Sequence, residues 1–324
     1  MARTRCYRGG VLTDEDFPVA EVAEHLDKDP TAVVWIDLCS PDAQELQLVA
    51  DELGLHELAV EDAMTERQRP KLDRYAGHDF LTAYSVKLDL DSGELGSAEI
   101  AAFITAKALV TVRKDDGFPL EGLVAHWDQA PAVTRHGVAG LLHGLLDFVV
   151  DGHFDAVQSL DEEIEQLEDL LFKDGAHDKL VQPRSFELRK SLVKLRRVVL
   201  PMREVVNTLM RRDIDLVPEE MVPYYQDVYD HVLRASEWTE SLRDLVTTIL
   251  ETNLTIQGNR LNVITKKVTS WAAIIAVPTA VTGFYGQNVP YPGFSHQSGF
   301  LTSTVVMVVG SVGLYLGFRH KDWI

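Results

Sequence analysis

The sequence predicts an α+β cytoplasmic domain, layered α/β/α, followed by a long stalk helix and two C-terminal transmembrane helices. Three observations lead to this prediction. The length of 324 residues suggests two structural units. Strand-like and helix-like patterns alternate in the first part of the chain. Two long runs without a charged residue lie close to its end.

The charge balance excludes one large class of function. Acidic residues outnumber basic ones by 50 to 31, which gives a net charge of -19. Binding to nucleic acid requires clustered Lys and Arg, so we expect no nucleic-acid partner. An acidic chain suits the handling of cations instead. The two cysteines, Cys6 and Cys39, are too few for a disulfide framework and fit a reducing compartment.

The two uncharged runs are predicted to cross a lipid bilayer. They cover residues 268–285 and 300–318, and each is nearly long enough for the ~30 Å apolar core of a membrane. A pair of buried core helices is the rarer alternative. Basic residues flank the pair on one side only, namely Lys266, Lys267, Arg319, His320 and Lys321. The positive-inside rule therefore places both termini in the cytoplasm, and we expect no N-terminal leader because no apolar run is found there.

The α/β domain is assigned to residues 1–135. Residues 33–38 form a short β-rich run, and residues 80–90 and 100–113 are longer β-like segments separated by the turn signal Asp91-Ser92-Gly93. A helix is predicted from Pro41 to about Leu53, because Pro and acidic residues occupy its first turn.

Residues 136–222 are predicted to form a cytoplasmic helical hairpin. Nine acids and one lysine lie in residues 151–174, whereas the following helix, residues 186–212, is basic. A salt-bridged hairpin is favoured over an ion-binding face. Residues 223–287 contain no convincing helix breaker before Pro278, so we predict one long helix that becomes the first transmembrane helix at about residues 266–286.

A stripe of small and polar residues follows this long helix at steps of three or four. Its members are Gly258, Asn262, Thr265, Thr269, Ala272, Ala276, Thr279 and Gly283. Such steps place them on one face of the helix. The spacing fits two interpretations equally well: close packing between helices, or the lining of a narrow wet pore. A pore would require several copies around an axis, because two helices cannot enclose one.

The first transmembrane helix ends in Tyr285-Gly286-Gln287-Asn288, and here the chain resembles the CorA family of divalent-cation channels and transporters. The resemblance is strongest from residues 223–231 through Pro278-Thr279 to this motif. The family has Gly-Met-Asn where this chain has Gly-Gln-Asn. The resemblance implies an extracytoplasmic loop at 288–299, a second transmembrane helix at 300–318 and a basic cytoplasmic tail at 319–324.

The resemblance also implies a homopentamer in a cell membrane that conducts Mg²⁺ inward, with Co²⁺ or Ni²⁺ as further ions. Gly286, Gln287 and Asn288 would form the selectivity filter. The implied pore-lining residues are Asn262, Thr265, Val268, Ala276 and Thr279, to which the stripe adds Gly283. Glu251 would lie at the cytoplasmic mouth. Asp227 would bind a regulatory Mg²⁺ between subunits, with Asp89 or Asp91 as its partner.

Two alternatives stay open at the level of sequence. Gln287 in the usual Met position, together with His296, is compatible with a Zn²⁺ transporter as the first alternative. A membrane-tethered cytosolic sensor or enzyme is the alternative from another class. No phosphate-binding GxxxxGK[ST] and no HExxH spacing is found, so we expect the protein not to be an enzyme.

Overall fold

The computed structural model describes residues 2–65, 68–89, 92–171, 178–211, 216–287 and 289–324. The chain divides into two compact units, the first ending at Ile249 and the second beginning at Leu250. The strands are β1 Arg3–Arg8, β2 Val11–Glu15, β3 Ala32–Cys39, β4 Lys71–Tyr75, β5 His78–Leu88, β6 Leu95–Ile104 and β7 Ala108–Arg113. The helices are α1 Val22–Lys28, α2 Ala43–Leu53, α3 Glu57–Met64, α4 Leu120–Gln129, α5 Pro131–Thr134, α6 Val138–Leu171, α7 Asp178–Leu209, α8 Val222–Tyr285 and α9 Gln297–His320.

The seven strands form one mixed sheet in the order β2-β1-β3-β7-β6-β5-β4. Only β3 and β7 are parallel, and all other neighbours are antiparallel. The predicted strand at residues 33–38 is confirmed as β3, whose apolar run is almost fully buried because helices cover both faces of the sheet.

One strand prediction needs correction. The β-like segment at residues 100–113 contains parts of two strands, β6 and β7, rather than one. The turn between them has neither Gly nor Pro. It is closed by Thr105, whose backbone N–H donates to the Ala108 carbonyl at 2.9 Å and whose hydroxyl oxygen accepts from the Ala108 N–H at 2.8 Å. A turn closed by a side-chain hydroxyl is harder to recognise in a sequence than a turn that contains Gly or Pro.

On one face of the sheet, α1, α2 and α3 cover a hydrophobic core. Val34, Ile36 and Val110 from the strands meet Leu46 and Val49 of α2 there. The predicted helix at Pro41 begins at Ala43, because the Asp42 carboxylate accepts the N–H groups of Gln44 and Glu45 at 2.8 Å and caps the helix.

On the other face, α4, α6 and α7 form the second helical layer. Trp35 and Trp127 meet edge to face at 4.9 Å, and the Trp127 indole N–H donates to the Leu141 carbonyl at 3.0 Å. The α6 side chain His153 donates from Nε2 to the Tyr84 carbonyl at 2.7 Å. Burial lowers the pKa of His153 to about 4, so the imidazole is neutral inside the layer. The expected α/β/α arrangement is therefore confirmed.

The acidic and basic helices α6 and α7 are joined by an ion pair between Glu163 and Arg184. Other basic side chains of α7 pair elsewhere: Lys194 contacts Glu94 at 2.8 Å, and Arg196 contacts Glu240 of α8 at 3.0 Å. The basic helix begins at Asp178, earlier than the predicted residue 186, and includes both Pro183 and Pro201.

Two helices are long and apolar enough to cross a membrane. One is the helical segment Glu219–Tyr285, which includes α8, and the other is α9. The helix α8 continues through Pro278, which the predicted single long helix required. Proline has no backbone N–H, so the helix lacks the hydrogen bond from residue 278 to the Ile274 carbonyl. The Thr282 hydroxyl donates to the Pro278 carbonyl at 2.8 Å one turn later.

Candidate functional site

The stripe of small and polar residues lies on the side of α8 away from α9. Contacts with α9 come from the opposite side of the helix: the Trp271 ring is 6.4 Å from the Tyr315 ring, and a Cβ built on Gly310 would lie 2.9 Å from Val277. Ser270 is fully buried on that covered side. All eight stripe residues and Val268 are exposed. Packing within one chain therefore does not use the stripe.

Two threonines of the stripe have the same side-chain geometry. The hydroxyl of Thr265 donates to the Leu261 carbonyl, and the hydroxyl of Thr279 donates to the Ile275 carbonyl, each at 2.9 Å. Because the proton is used inside the helix, the oxygen lone pairs face outward as acceptors. Water molecules around a cation present their protons outward. The stripe thus offers hydrogen-bond acceptors that match a hydrated cation.

The predicted filter follows directly after α8. The Gly286 N–H donates to the Thr282 carbonyl at 2.9 Å and the Gln287 N–H to the Phe284 carbonyl at 3.4 Å. Both Gly286 and Gln287 are exposed. Asn288, the third predicted filter residue, lies outside the described residues. Glu251, predicted at the cytoplasmic mouth, is an exposed residue of α8.

An aromatic cluster holds the loop between α8 and α9 together. The Tyr291 ring lies 4.8 Å from that of Tyr285 and 5.3 Å from that of Phe294. A close backbone approach fixes the other end of the loop, where a Cβ on Gly299 would lie 2.5 Å from the Gly293 carbonyl oxygen. The loop that follows the filter motif is therefore folded against the start of α9.

In the first unit, Asp227 of α8 lines a cavity of about 260 Å³ together with His126, His143 and Asp147. A neighbouring group consists of Asp147, Asp151 and His231, whose ligand atoms lie within 4.8 Å of one another. His126 Nε2 is 3.3 Å from an Asp147 oxygen. Carboxylate and imidazole groups at this spacing can hold a divalent cation.

The electrostatics of this cluster favour a cation. Burial raises the pKa of Asp151, and the negative charge of Asp147 raises it further. A positive ion between the two carboxylates would offset that repulsion. Sequence reasoning found Asp227 but missed Asp147, Asp151 and His231. The available signal was a spacing of four residues in two helices, Asp147 to Asp151 and Asp227 to His231, which places each pair on one helix face.

Asp89, one of the two predicted partners of Asp227, lines another cavity of the first unit. Asp89 follows β5, where its carboxylate accepts the Ser92 N–H at 3.2 Å and lines a separate cavity with Lys87, Glu94 and Lys194. Asp91 lies outside the described residues. Asp89 and Asp227 line different cavities, and their pairing between subunits stays a prediction.

A sheet domain precedes two helices that are long and apolar enough to cross a membrane, and the first of them, α8, carries the exposed polar stripe. These are features expected of a membrane protein that transports ions. The CorA-like Mg2+ transporter protein family model matches residues 30–320. The chain therefore belongs to the CorA family, as the resemblance indicated, and is a divalent-cation transporter rather than an enzyme.

Individual relatives agree with this assignment. The chain is 28% identical over 300 residues to a cobalt/magnesium transport protein CorA from Thermotoga maritima, covering 92% of this chain and 85% of that relative. Its fold matches the complete CorA magnesium transporter from Methanocaldococcus jannaschii with a TM-score of 0.80 at 20% identity, over 100% of this chain and 99% of the other. The ZntB cytoplasmic domain from Vibrio parahaemolyticus is a more distant match, with a TM-score of 0.60 at 15% identity over 80% of this chain and 98% of that domain.

Proposed function

We propose that the protein is a homopentameric channel that carries Mg²⁺ into the cytoplasm, with Co²⁺ or Ni²⁺ as further ions. The observation that carries this proposal is the exposed stripe on the side of α8 that α9 leaves uncovered. Copies of α8 arranged around an axis can turn that side toward a shared wet passage. The protein then lies in a cell membrane with both termini in the cytoplasm, as the positive-inside rule requires of its basic flanks.

The ion passes with most of its water. Mg²⁺ loses inner-shell water reluctantly. The outward oxygens of Thr265 and Thr279, and the amide of Asn262, accept hydrogen bonds from that water without replacing it. A ring of Asn288 amides with the Gly286 and Gln287 backbone forms the filter, where neutral oxygens bind a hydrated cation weakly enough to release it. Val268 provides a hydrophobic constriction, and Glu251 concentrates cations at the inner mouth.

The driving force is the membrane potential. It supplies about 2.3 kcal/mol per charge per 100 mV, and about twice that for a divalent ion. Uptake into vesicles therefore increases when their interior is made more negative.

Cytosolic Mg²⁺ acts as the regulatory ion at the first unit. The acidic face that includes Asp227, Asp147 and Asp151 repels itself when no cation is bound, and a bound ion holds the closed state. Internal Mg²⁺ is expected to inhibit uptake by the native protein. Asp227→Asn should relieve that inhibition, whereas Asp244→Asn, an exposed acid elsewhere on α8, should not. Equal inhibition in all three proteins would contradict this regulatory site.

The filter is tested by Mg²⁺ uptake into vesicles that contain the purified protein and a fluorescent Mg²⁺ indicator. Asn288→Ala should abolish uptake. Asn207→Ala, at an exposed position of α7, is the matched control and should leave uptake unchanged. Unchanged uptake by Asn288→Ala would contradict the filter, and absence of uptake by the native protein would contradict the proposed function itself.

A Zn²⁺ transporter is the second candidate, favoured by one observation in the loop. The His296 Nδ1 donates to the Phe294 carbonyl oxygen at 2.9 Å, so Nε2 is the nitrogen that this contact leaves available as a metal ligand. An imidazole nitrogen suits Zn²⁺ better than Mg²⁺. Competition between Zn²⁺ and Mg²⁺ for uptake decides between the two candidates. Zn²⁺ should inhibit Mg²⁺ uptake by a Zn²⁺ transporter at far lower concentrations than it inhibits uptake by a Mg²⁺ channel.

A further inference from the structure

Basic side chains of the second unit gather at one level of the helix pair. The contacts of Trp271 with Tyr315 and of Val277 with Gly310 fix an antiparallel register between α8 and α9. Four residues beyond the Trp271–Tyr315 contact, about 6 Å further along each axis, the same register places Lys267 level with Arg319. Lys266 and Lys321 are direct neighbours of that level.

These cations have no carboxylate partner among the residues that the structure describes. Lys266, Lys267, Arg319 and Lys321 are exposed, and none of them takes part in an ion pair. Basic residues elsewhere in the chain do pair, as Arg113 does with Asp37 at 2.7 Å. Asp322 is the acid in this segment. The patch is therefore strongly basic in a chain whose net charge is -19.

A second observation places this patch at a membrane surface. After α9 the chain turns back, with Asp322 at φ 54° and the Trp323 N–H donating to the Phe318 carbonyl at 2.9 Å. The Trp323 ring stacks on the Phe318 ring, with 5.6 Å between the ring centroids and an angle of 8° between the ring planes. Tryptophan is enriched where acyl chains meet headgroups. Trp323 thus marks the interface beside the unpaired cations.

We propose that Lys266, Lys267, Arg319 and Lys321 form a binding surface for the phosphate groups of anionic phospholipids. The uncharged run 268–285 begins, and the run 300–318 ends, directly beside these cations, which therefore reach the headgroup layer when the helices cross a bilayer. Negative headgroups supply the counter-charge that the described residues do not provide there. This inference rests on the proposed membrane placement of α8 and α9 but not on the identity of the transported ion.

The test uses the full-length purified protein and native mass spectrometry with dioleoylphosphatidylglycerol or dioleoylphosphatidylcholine as the added lipid. The native protein should bind the anionic lipid at least about tenfold more tightly than the zwitterionic one. Each of the variants Lys266→Gln/Lys267→Gln and Arg319→Gln/Lys321→Gln should weaken binding of the anionic lipid by about tenfold. Raising the salt concentration from 150 to 500 mM should weaken it in the native protein, since surface charges are screened.

The matched control is Arg189→Gln/Arg197→Gln, which removes two exposed charges from α7 and should leave the lipid preference unchanged. Absence of a preference for the anionic lipid, or an equal loss in the control, would overturn the proposal. Pairing of the cations with acids of another copy would give the first of these results. Mg²⁺ uptake without a lipid preference contradicts only this inference, whereas a lipid preference without uptake contradicts only the proposed function.

Discussion

The first unit completes its own packing, whereas the second does not. Up to Ile249, the sheet is covered on both faces and most large apolar side chains of the strands are buried. From Leu250 onward, the buried residues among those described are Asn253, Ser270, Gly299 and Ser303. The helices α8 and α9 expose apolar residues on some sides and a polar stripe on another. Their surface therefore matches two different surroundings, lipid and water, that the chain itself does not supply.

The largest effect on transport is expected where the stripe is made apolar. Thr279→Leu removes an acceptor oxygen and adds bulk to the proposed passage, so Mg²⁺ uptake into vesicles should fall by about a hundredfold or more, as a loss of about 3 kcal/mol would give. Ile274→Leu, on the side of the same helix opposite the stripe, should change uptake little. Equal uptake in both variants would place the stripe outside the ion pathway.

A large effect on stability is expected in the first unit at its buried ion pair. Asp37 accepts from Arg113 Nη2 at 2.7 Å and from the Thr111 hydroxyl at 2.7 Å, and it is 2% exposed. Asp37→Asn leaves the guanidinium without its counter-charge and should lower the free energy of unfolding by about 3–5 kcal/mol. Chemical denaturation monitored by circular dichroism measures this change.

The exposed pair Arg3–Glu121 is the control for that experiment. Glu121→Gln should lower the stability by less than about 1 kcal/mol, because water screens both charges. A loss of similar size in the two variants would show that burial does not decide the strength of these pairs.

Substitution of one glycine in each unit allows the packing of the two units to be compared. A Cβ on Gly140 would lie 2.2 Å from the Val133 carbonyl oxygen, whereas nothing lies within 4 Å of one on Gly313 in α9. Gly140→Ala should therefore destabilise the protein by about 1–3 kcal/mol in thermal unfolding. Gly313→Ala should leave the unfolding temperature unchanged, and a clear fall would reveal a contact that a single chain does not contain.

The smallest effect concerns pH. His78 stacks on Tyr75 at 5.2 Å, and both of its ring nitrogens are buried without a hydrogen-bond partner among the described residues. Burial lowers the pKa of His78 below its usual 6.5, so the unfolded chain takes up this proton first. The stability contributed by neutral His78 is present above about pH 6.5 and is lost as the pH falls, by at most about 1.4 kcal/mol per pH unit.

His78→Phe keeps an aromatic ring in this stack and should flatten the decrease of stability between pH 7 and 5. An unchanged pH dependence in denaturation experiments would mean that other groups account for it.

The features that could be predicted from the sequence are those encoded along a single element. The two uncharged runs and the stripe on α8 are periodic patterns within one helix, and the family motif at Gly286 follows them. The cluster of Asp147, Asp151 and His231 could not be found in this way, because it exists only where α6 packs against α8. The turn at Thr105 was missed because a hydroxyl group takes the place of Gly or Pro. The predicted pairing of Asp227 with Asp89 would need a second copy of the chain, which the sequence of one chain does not describe.

The central claim is that the stripe side of α8 faces water inside the membrane. Single cysteines introduced into a background with Cys6→Ala and Cys39→Ser, in vesicles, test it through their reaction with a charged, membrane-impermeant methanethiosulfonate reagent. Cysteines at positions 265, 272 and 279 should react and slow Mg²⁺ uptake, whereas cysteines at position 274, on the side of α8 opposite the stripe, and at position 305, on the apolar surface of α9, should not react. Equal protection at all five positions, or reaction at 274 and 305 alone, would contradict the account.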